Sequence, residues 1–389
     1  MSFDFDRVIV RSGTNSVKHD GRLAQFGSAD VIPLWVADMD FAAPESVTRA
    51  LIARASHPVY GYTLYPESLY EALISWLQRR HSWQVEREWI MMAPGVVPSL
   101  YAAVLALTNP GDGVIVQPPV YPPFFSAVTT NGRKLVENPL RIVDGRHAMD
   151  FEHLERCASE GAKLMLLCSP HNPVGRVWEK EELLQLLDIA RRHGIAILSD
   201  EIHADLIYPG IRHIPLDRLA GEDDHLITAF APSKTFNIPG LGLSFLIVRN
   251  PSHRHSIRHA FGTLHAGNTN PFSIAAFEAA YRGGEDWLDG LMDYLEGNRD
   301  FAADYIANHF PEISLIKPEG TYLLWLDCKR LGMSDDELHR FFVHEARVGM
   351  NPGITFGAAG SGHMRLNIAS PRSVIHDALE RINNALAKG

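Results

Sequence analysis

Four side chains that could take part in catalysis follow apolar runs of this sequence. Lys234 follows "HLITAF", within "APSKTFNIPG", and Asp200 ends the run "IAILSD". Asn172 follows "KLMLLCS", within "PHNPVG", and Tyr121 lies between prolines after "VIVQ". A lysine amine can form a Schiff base with an aldehyde, a carboxylate can pair with a buried cation, and an aromatic ring can stack on a planar ligand. These residue types match the needs of an aldehyde cofactor that works as an electron sink.

Such a cofactor also needs hydrogen-bond donors for its phosphate group. In "APGVVPSL", Gly95, Val96 and Val97 stand at the predicted amino end of a helix, where unpaired N–H groups attract anions. Each residue alone has a simpler explanation, as a helix cap, a turn residue, a core aromatic ring or a solvated lysine. The hypothesis of one shared site rests on their coincidence at one edge of one sheet.

The apolar runs predict a mostly parallel sheet with helices on both faces. Continuous hydrophobic runs occupy 163–169, 195–200, 225–230 and 243–248. The segment 179–194 is acidic at its start, basic at its end and stops at a glycine, which predicts a helix. Because ligands of open α/β sheets bind beyond the carboxyl ends of the strands, the four side chains are expected near one another.

The sequence pattern changes near residue 286. Long helical patterns at 286–308, 334–347 and 371–388 flank two alternating strands at 322–327 and 363–369. We therefore predict three parts: an N-terminal segment, 1–44, that packs with the small domain, a large cofactor-binding α/β domain, 45–285, and a small C-terminal α+β domain, 286–389.

The bulk composition predicts a compact soluble protein. Of 389 residues, 46% are hydrophobic and 21% are charged, and the formal net charge of −10 argues against nucleic acid or an anionic membrane as partner. The three cysteines show no metal-ligand spacing, so no metal site is expected. No apolar stretch has the length of a signal peptide or a membrane span, and a reducing cytoplasm is the expected compartment.

Three motifs make the sequence resemble the fold-type I pyridoxal phosphate enzymes, the class I/II aminotransferase superfamily. They are "SPHNPVG", "SDEIHADLIY" and "APSKTFNIPGLG", with Asn172 and Asp200 28 positions apart and Asp200 and Lys234 34 apart. Within the superfamily, "WVADMDF", "YGYT", "PGVVPSLYAAV" and "VYPPF" make the chain most similar to the cystathionine β-lyase or C–S lyase subfamily. The resemblance implies a transferase-like large domain with a mostly parallel seven-stranded sheet, a smaller α+β C-terminal domain, and pyridoxal 5'-phosphate as cofactor.

The resemblance also implies a role for each site residue. Lys234 would bind the cofactor aldehyde, Asp200 would pair with the pyridinium, and Tyr121 would stack on the ring, which makes these three the catalytic residues. Asn172 would bond the cofactor's 3-hydroxyl oxygen, and His203 would lie near it. The implied phosphate ligands are Val96, Val97 and Ser233, with Tyr62 reaching across from the partner subunit of a homodimer. The implied substrate-binding residues are Ala37 and Arg365, whose guanidinium would take the carboxylate as a bidentate pair.

Three positions bear on the kind of reaction. Many aminotransferases carry a phosphate-binding arginine eight residues after the lysine, where this chain has Gly242, and the C–S lyase subfamily lacks that arginine too. His203 stands where many aminotransferases have a tyrosine, which again suits the lyase group. His19, in "SVKHD", stands where relatives usually have Trp or Tyr, which leaves the shape of the pocket and the preferred thioether open.

The resemblance implies an α,β-elimination that converts cystathionine or cysteine S-conjugates to pyruvate, ammonia and a thiol. An aminotransferase on the same site is the first alternative, because both reactions share the lysine, the base and the electron sink. Two further alternatives are a lyase that also binds and restrains a transcriptional regulator, and a catalytically silent relative.

Overall fold

The computed structural model describes residues 3–222, 224–263, 265–266 and 269–388. Its strands are β1 Ile32–Pro33, β2 Ile90–Ala93, β3 Gly113–Val116, β4 Lys134–Glu137, β5 Arg141–Val143, β6 Arg146–Ala148, β7 Ala162–Cys168, β8 Ala196–Asp200, β9 Leu226–Phe230, β10 Ser244–Ile247, β11 Ser314–Leu315, β12 Leu323–Asp327, β13 Val348–Gly349, β14 Asn351–Pro352 and β15 His363–Asn367. Its helices are α1 Val17–Asp20, α2 Arg22–Phe26, α3 Glu45–Ala55, α4 Glu67–His81, α5 Val96–Leu107, α6 Pro123–Thr129, α7 Phe151–Ser159, α8 Lys180–His193, α9 Pro232–Thr235, α10 Pro251–Thr263, α11 Pro271–Gly283, α12 Glu285–His309, α13 Asp335–Arg340 and α14 Arg372–Leu386.

The central sheet has seven strands in the order β2-β10-β9-β8-β7-β3-β4. β10 runs antiparallel to both of its neighbours, and the other adjacent pairs are parallel. Nearly every residue of β7, β8 and β9 is buried, as a sheet covered on both faces requires. The predicted mostly parallel seven-stranded sheet is confirmed.

The register of the three central strands places the candidate residues together. Asp200, the last residue of β8, pairs with Cys168 of β7 and with Ala229 of β9. The three strands therefore end at nearly the same level. The chain leaves β7 toward Asn172 and β9 toward Lys234, so both side chains emerge beside Asp200.

Local sequence signals set the limits of α8. Glu179 and Glu182 form a capping box at its start, and Gly194 ends it with a left-handed backbone at φ 64°. Acidic residues lie in the first turn and basic residues in the last, which complements the helix dipole. The helix predicted at 179–194 is confirmed.

The C-terminal part contains a second, antiparallel sheet of four strands in the order β11-β12-β15-β14. Two of the three predicted helices match closely, as α12 and α14. The third prediction, 334–347, is only partly right, because α13 ends at Arg340 and Phe341–Glu345 form a wider π-helical turn. The predicted strands match β12 and β15.

The N-terminal segment contacts the C-terminal part directly. Its strand β1 pairs in parallel with β13, and Asn367 N–H donates to the Leu34 carbonyl at 3.0 Å. One hydrophobic core cluster includes Phe5, Trp76 and Leu323, which lie in the three predicted parts. The division at residues 44 and 285 stays a prediction, and residues 1, 2 and 389 of its outer parts lie outside the described residues.

No helix in the described part of the chain is long and apolar enough to cross a membrane. Within the same residues, no group of three or more His, Cys, Asp or Glu side chains could hold a metal ion.

Candidate active site

A cavity of about 490 Å³ lies beyond the carboxyl ends of β7, β8 and β9. Every predicted site residue except Tyr62 lines it, and these residues are Ala37, Val96, Val97, Tyr121, Asn172, Asp200, His203, Ser233, Lys234 and Arg365. Gly242 also lies on the cavity wall. The side chain of Tyr62 is fully exposed, and it does not line the cavity of its own chain.

Lys234 lies on the short helix α9, which begins at Pro232 directly after β9. Its Nζ donates a hydrogen bond to the carbonyl oxygen of Ala37 at 2.6 Å. Burial lowers the pKa of Lys234 to about 8, with the charge of Arg365 acting in the same direction. A substantial fraction of the amine is therefore neutral near physiological pH, as a nucleophile or base must be.

Asp200 is a buried carboxylate that has no salt bridge among the described residues. Its Oδ1 accepts a hydrogen bond from the Ile202 N–H at 3.1 Å. Burial raises the pKa of Asp200 to about 7, against the opposing effect of that N–H bond. A buried carboxylate without a cation is unfavourable, so this side chain favours a ligand that brings a positive charge into the cavity.

The amino end of α5 forms the candidate phosphate cradle. The helix begins at Val96 after Gly95, and no side chain caps its first N–H groups. Gly242 lies opposite, where a Cβ atom would come within 3.3 Å of the Pro94 carbonyl oxygen. That contact is tight but does not by itself exclude a side chain. Because glycine brings no side-chain donor, the helix N–H groups and Ser233 are left as the candidate phosphate donors.

Arg365 closes the other side of the cavity. It projects from β15, and its guanidinium lies 4.9 Å from the centre of the Phe356 ring. One Nη donates to Asn172 Oδ1 at 3.1 Å, while the other donates to the Trp35 carbonyl at 2.8 Å and to Asn351 Oδ1 at 2.7 Å. Its buried Nε has no partner within the described residues. Burial lowers the pKa of Arg365 to about 10, so the group stays charged and attracts a carboxylate.

The remaining ring side chains are neutral. Burial raises the pKa of Tyr121 above its ordinary value. Burial lowers the pKa of His203 to about 3, and the charges of Lys234 and Arg365 act in the same direction. The Nδ1 atom of His203 is buried and finds no partner in the described structure, so it is free to bond a ligand.

These observations fit pyridoxal phosphate. The cavity offers a reactive lysine, an unpaired buried carboxylate, an aromatic ring, a helix amino end and unpaired polar atoms on His203 and Arg365. Each of these groups can bind one part of the cofactor or of an amino-acid substrate.

Among the cavity residues that were not predicted, Trp35 and Asn351 contact a predicted one. The carbonyl of Trp35 and the side chain of Asn351 both accept hydrogen bonds from Arg365. The motif "WVADMDF" contains Trp35, but nothing in the sequence marks a backbone carbonyl as a hydrogen-bond partner. Asn367, two residues after Arg365 on β15, donates to the carbonyls of Val36 and Asp38, each at 2.7 Å.

The sequence leaves the effect of His19 on the pocket open, and in the described structure His19 does not line the cavity. Its Nε2 lies 3.0 Å from Asp40 Oδ1, within a cluster that also contains Lys18 and Arg11. The Lys18 side chain is fully buried, with Nζ 2.7 Å from Asp40 Oδ2. Although burial acts to raise it, the charge of Lys18 and the bond to His19 hold the pKa of Asp40 well below its usual range.

Lys18→Met is expected to destabilise the fold by roughly 3 kcal/mol, because it leaves part of a buried carboxylate charge uncompensated. The thermal midpoint at pH 7 should fall by roughly 3–6 °C. Because the pKa of Asp40 is depressed in the folded state, its ion pair adds stability at pH values above the pKa of an unfolded aspartate, and this stability is lost as the pH falls. The difference in thermal midpoint between Lys18→Met and wild type should therefore shrink below about pH 4. Calorimetry checks this against Lys163→Met, which alters an exposed side chain of β7. Equal thermal midpoints for Lys18→Met and Lys163→Met would contradict the assignment of Lys18 as the buried cation that compensates Asp40.

Comparison with known proteins places these residues in a family. The family model for aminotransferase class I and II matches residues 29–382. Cystathionine beta-lyase PatB of Bacillus subtilis is 43% identical over 386 residues, 99% of this chain and 100% of that protein. The crystal structure of cystalysin from Treponema denticola, which contains pyridoxal 5'-phosphate, matches with a TM-score of 0.97 at 38% identity over 100% of both chains. The pyridoxal phosphate-bound C–S lyase of Staphylococcus hominis matches with a TM-score of 0.92 at 34% identity, over 99% of this chain and 98% of that one. The chain therefore belongs to the aminotransferase class I and II family.

Proposed function

We propose that this protein is a pyridoxal phosphate-dependent carbon–sulfur β-lyase that acts on cystathionine or cysteine S-conjugates. The observation that carries the proposal is that Lys234 and Asp200, whose carboxylate has no salt bridge among the described residues, line the same cavity. Full-length relatives named cystathionine beta-lyase and C–S lyase support the lyase over the aminotransferase.

The chain's own residues would hold the cofactor at its two ends. When bound, pyridoxal phosphate supplies an electron sink for the electron pair left at the substrate Cα. Asp200 would face the pyridine nitrogen, Asn172 and His203 the 3-hydroxyl oxygen, and Tyr121 the ring face. Val96, Val97 and Ser233 would donate to the phosphate.

Arg365 and Ala37 would position the substrate carboxylate. The guanidinium lines the cavity, and its Nε has no partner within the described residues. An incoming carboxylate would accept from this Nε and, in a bidentate pair, also from one Nη. The bonds to Asn172 and Asn351 hold the guanidinium plane in place. A fixed guanidinium would hold the substrate Cα–H bond in place relative to Lys234. This matters because a misplacement of about 1 Å lowers the reaction rate strongly.

Lys234 would act as the general base. Its neutral amine takes the Cα proton and holds it at Nζ as an ammonium, next to the Ala37 carbonyl. The Cβ–S bond then breaks and the thiolate leaves with the bonding pair. The proton at Lys234 Nζ passes to the thiolate to give the thiol, and water hydrolyses the remaining 2-aminoacrylate to pyruvate and ammonia.

The purified protein with added pyridoxal phosphate should form pyruvate and thiol in equal amounts from L-cystathionine or an S-alkyl cysteine. No 2-oxo acid should be required, because the elimination regenerates the free enzyme. Coupled reduction of pyruvate and a thiol reagent measure the two products. Absence of pyruvate, with amino transfer to 2-oxoglutarate instead, would favour the aminotransferase alternative that the family description also permits.

We also propose a homodimer in which Tyr62 reaches the phosphate of the partner subunit. The Tyr62 side chain is fully exposed beside the exposed apolar residues Val59 and Leu64, which suits an interface. Sedimentation velocity tests this directly, since a single-chain mass for the loaded protein would contradict it.

A cytoplasmic location is proposed because the three cysteines are buried free thiols; secretion of the native protein would contradict it.

The two remaining alternatives from the sequence stay predictions. Binding of a transcriptional regulator would show as a cellular effect that survives Lys234→Ala. A silent relative would lack the absorbance of bound cofactor near about 420 nm.

A further inference from the structure

The carbonyl oxygen of Ala37 accepts two hydrogen bonds. One comes from Lys234 Nζ at 2.6 Å and the other from the Tyr322 hydroxyl at 2.8 Å. Tyr322 immediately precedes β12 and is fully buried, and it does not line the cavity. Its hydroxyl is therefore linked to the catalytic lysine through this shared oxygen.

Other side chains fix the backbone around Ala37. The Asn367 amide donates to the carbonyls on either side of Ala37, each at 2.7 Å. The Asn237 side chain accepts from the Met39 N–H at 2.9 Å and donates to the Met39 carbonyl at 3.0 Å. The Ala37 oxygen is thus held at a fixed place, whether or not the lysine amine is bound to it.

We propose that Tyr322 is a positioning residue that, through the Ala37 carbonyl, sets the resting place and the protonation of the Lys234 amine when it is free of cofactor. The inference rests on the proposed function, in which the freed amine is the general base. It concerns a residue behind the cavity that the cofactor and substrate contacts do not include.

The physical argument depends on sharing one acceptor. A carbonyl oxygen has two lone-pair sites, and here Tyr322 fills one and Lys234 the other. Two donors on one oxygen compete for the same electron density. An ammonium group gains more from a strong acceptor than a neutral amine does. The Tyr322 hydroxyl therefore weakens the hold on the ammonium form and helps keep the amine neutral.

Other charged and titratable groups also act on the amine. They are Asp200, Asp38, Arg365 and His203. Tyr322→Phe removes a single oxygen atom and leaves all four in place. A change in amine protonation in this variant is thus due to the lost hydroxyl.

The test uses full-length protein freed of cofactor, and pyridoxal phosphate as the probe. Its rate of capture depends on the fraction of neutral Lys234, so the rate measured from pH 6 to 10 has a midpoint that follows this amine. For Tyr322→Phe we expect the midpoint to rise by about half a pH unit relative to wild type. The cofactor's own titrations cancel in the comparison. The matched control is Tyr208→Phe, which also removes a buried tyrosine hydroxyl, but one that has no hydrogen-bond partner among the described residues.

An unchanged midpoint in folded Tyr322→Phe, or an equal shift in Tyr208→Phe, would overturn the inference. If Tyr322→Phe does not fold, Tyr322→3-fluorotyrosine provides a stronger hydroxyl donor and should lower the midpoint; no shift, or a rise, would overturn it. Cofactor capture does not depend on turnover. A shifted midpoint in a protein that forms no pyruvate would support this inference while contradicting the lyase.

Discussion

Lys234→Ala is expected to lower the rate of pyruvate formation by at least about four powers of ten. The substitution removes both the nucleophile for the cofactor aldehyde and the general base, and proton transfer alone contributes about 10²–10⁴-fold. Effects of one residue with two roles do not simply add, so the residual rate measures what the rest of the cavity can do. Single-turnover assays at saturating pyridoxal phosphate provide the measurement.

Two controls separate the loss of the amine from a loss of structure. Lys180→Ala, at the exposed start of α8, should retain full activity. Added methylamine should restore part of the activity of Lys234→Ala in proportion to its concentration, because a small amine can enter the cavity and accept the proton. Lys234→Ala with activity within tenfold of wild type would rule out the assigned base.

Asp200→Asn is expected to lower the rate by about two to four powers of ten. The amide keeps the shape of the side chain but cannot compensate a buried positive nitrogen, a loss of roughly 3–5 kcal/mol by analogy with broken buried ion pairs. Asp304→Asn, on the exposed side of α12, is the matched control and should retain activity. A rate for Asp200→Asn above one tenth of wild type would contradict the role of this carboxylate.

The same substitution should stabilise the protein when the cofactor is absent. The pKa of Asp200 is raised to about 7 by burial, above the unfolded value near 3.8. The folded state then binds more protons than the unfolded state in that window, so stability falls as pH rises from about 4 to 7. Cofactor-free Asp200→Asn should therefore exceed wild type in thermal midpoint by more at pH 8 than at pH 5. A larger gain in thermal midpoint at pH 5 than at pH 8 would contradict the expected direction of this pH dependence.

Much of the site could be predicted because its residues lie at the ends of consecutive parallel strands. Asp200 ends β8, and Asn172 and Lys234 follow β7 and β9, so the register of one sheet brings them together. Apolar runs of 5–7 residues mark these strands clearly. The limits of α8 were equally readable, because both of its caps are local signals.

Contacts between distant segments could not be predicted. The Arg365 guanidinium bonds the carbonyl of Trp35, 330 residues away, and Tyr322 bonds Ala37, 285 residues away. Lys18 gave no sign of being buried, since a lysine is normally solvated unless a partner such as Asp40 lies near. The pairing of β10 with β2 likewise depends on the whole sheet, because an apolar run alone does not show the direction of a strand.

The central claim is that this cavity eliminates a thiol rather than transferring an amine. The most direct measurement uses one sample in which both reactions are possible. It contains L-cystathionine labelled with 15N only at the amine of its cysteine half, an equal amount of 2-oxoglutarate and loaded wild-type protein, and the products are followed by NMR. The proposed lyase predicts that the label appears as ammonia, with pyruvate and homocysteine formed in equal amounts. Label in glutamate with no pyruvate would contradict it.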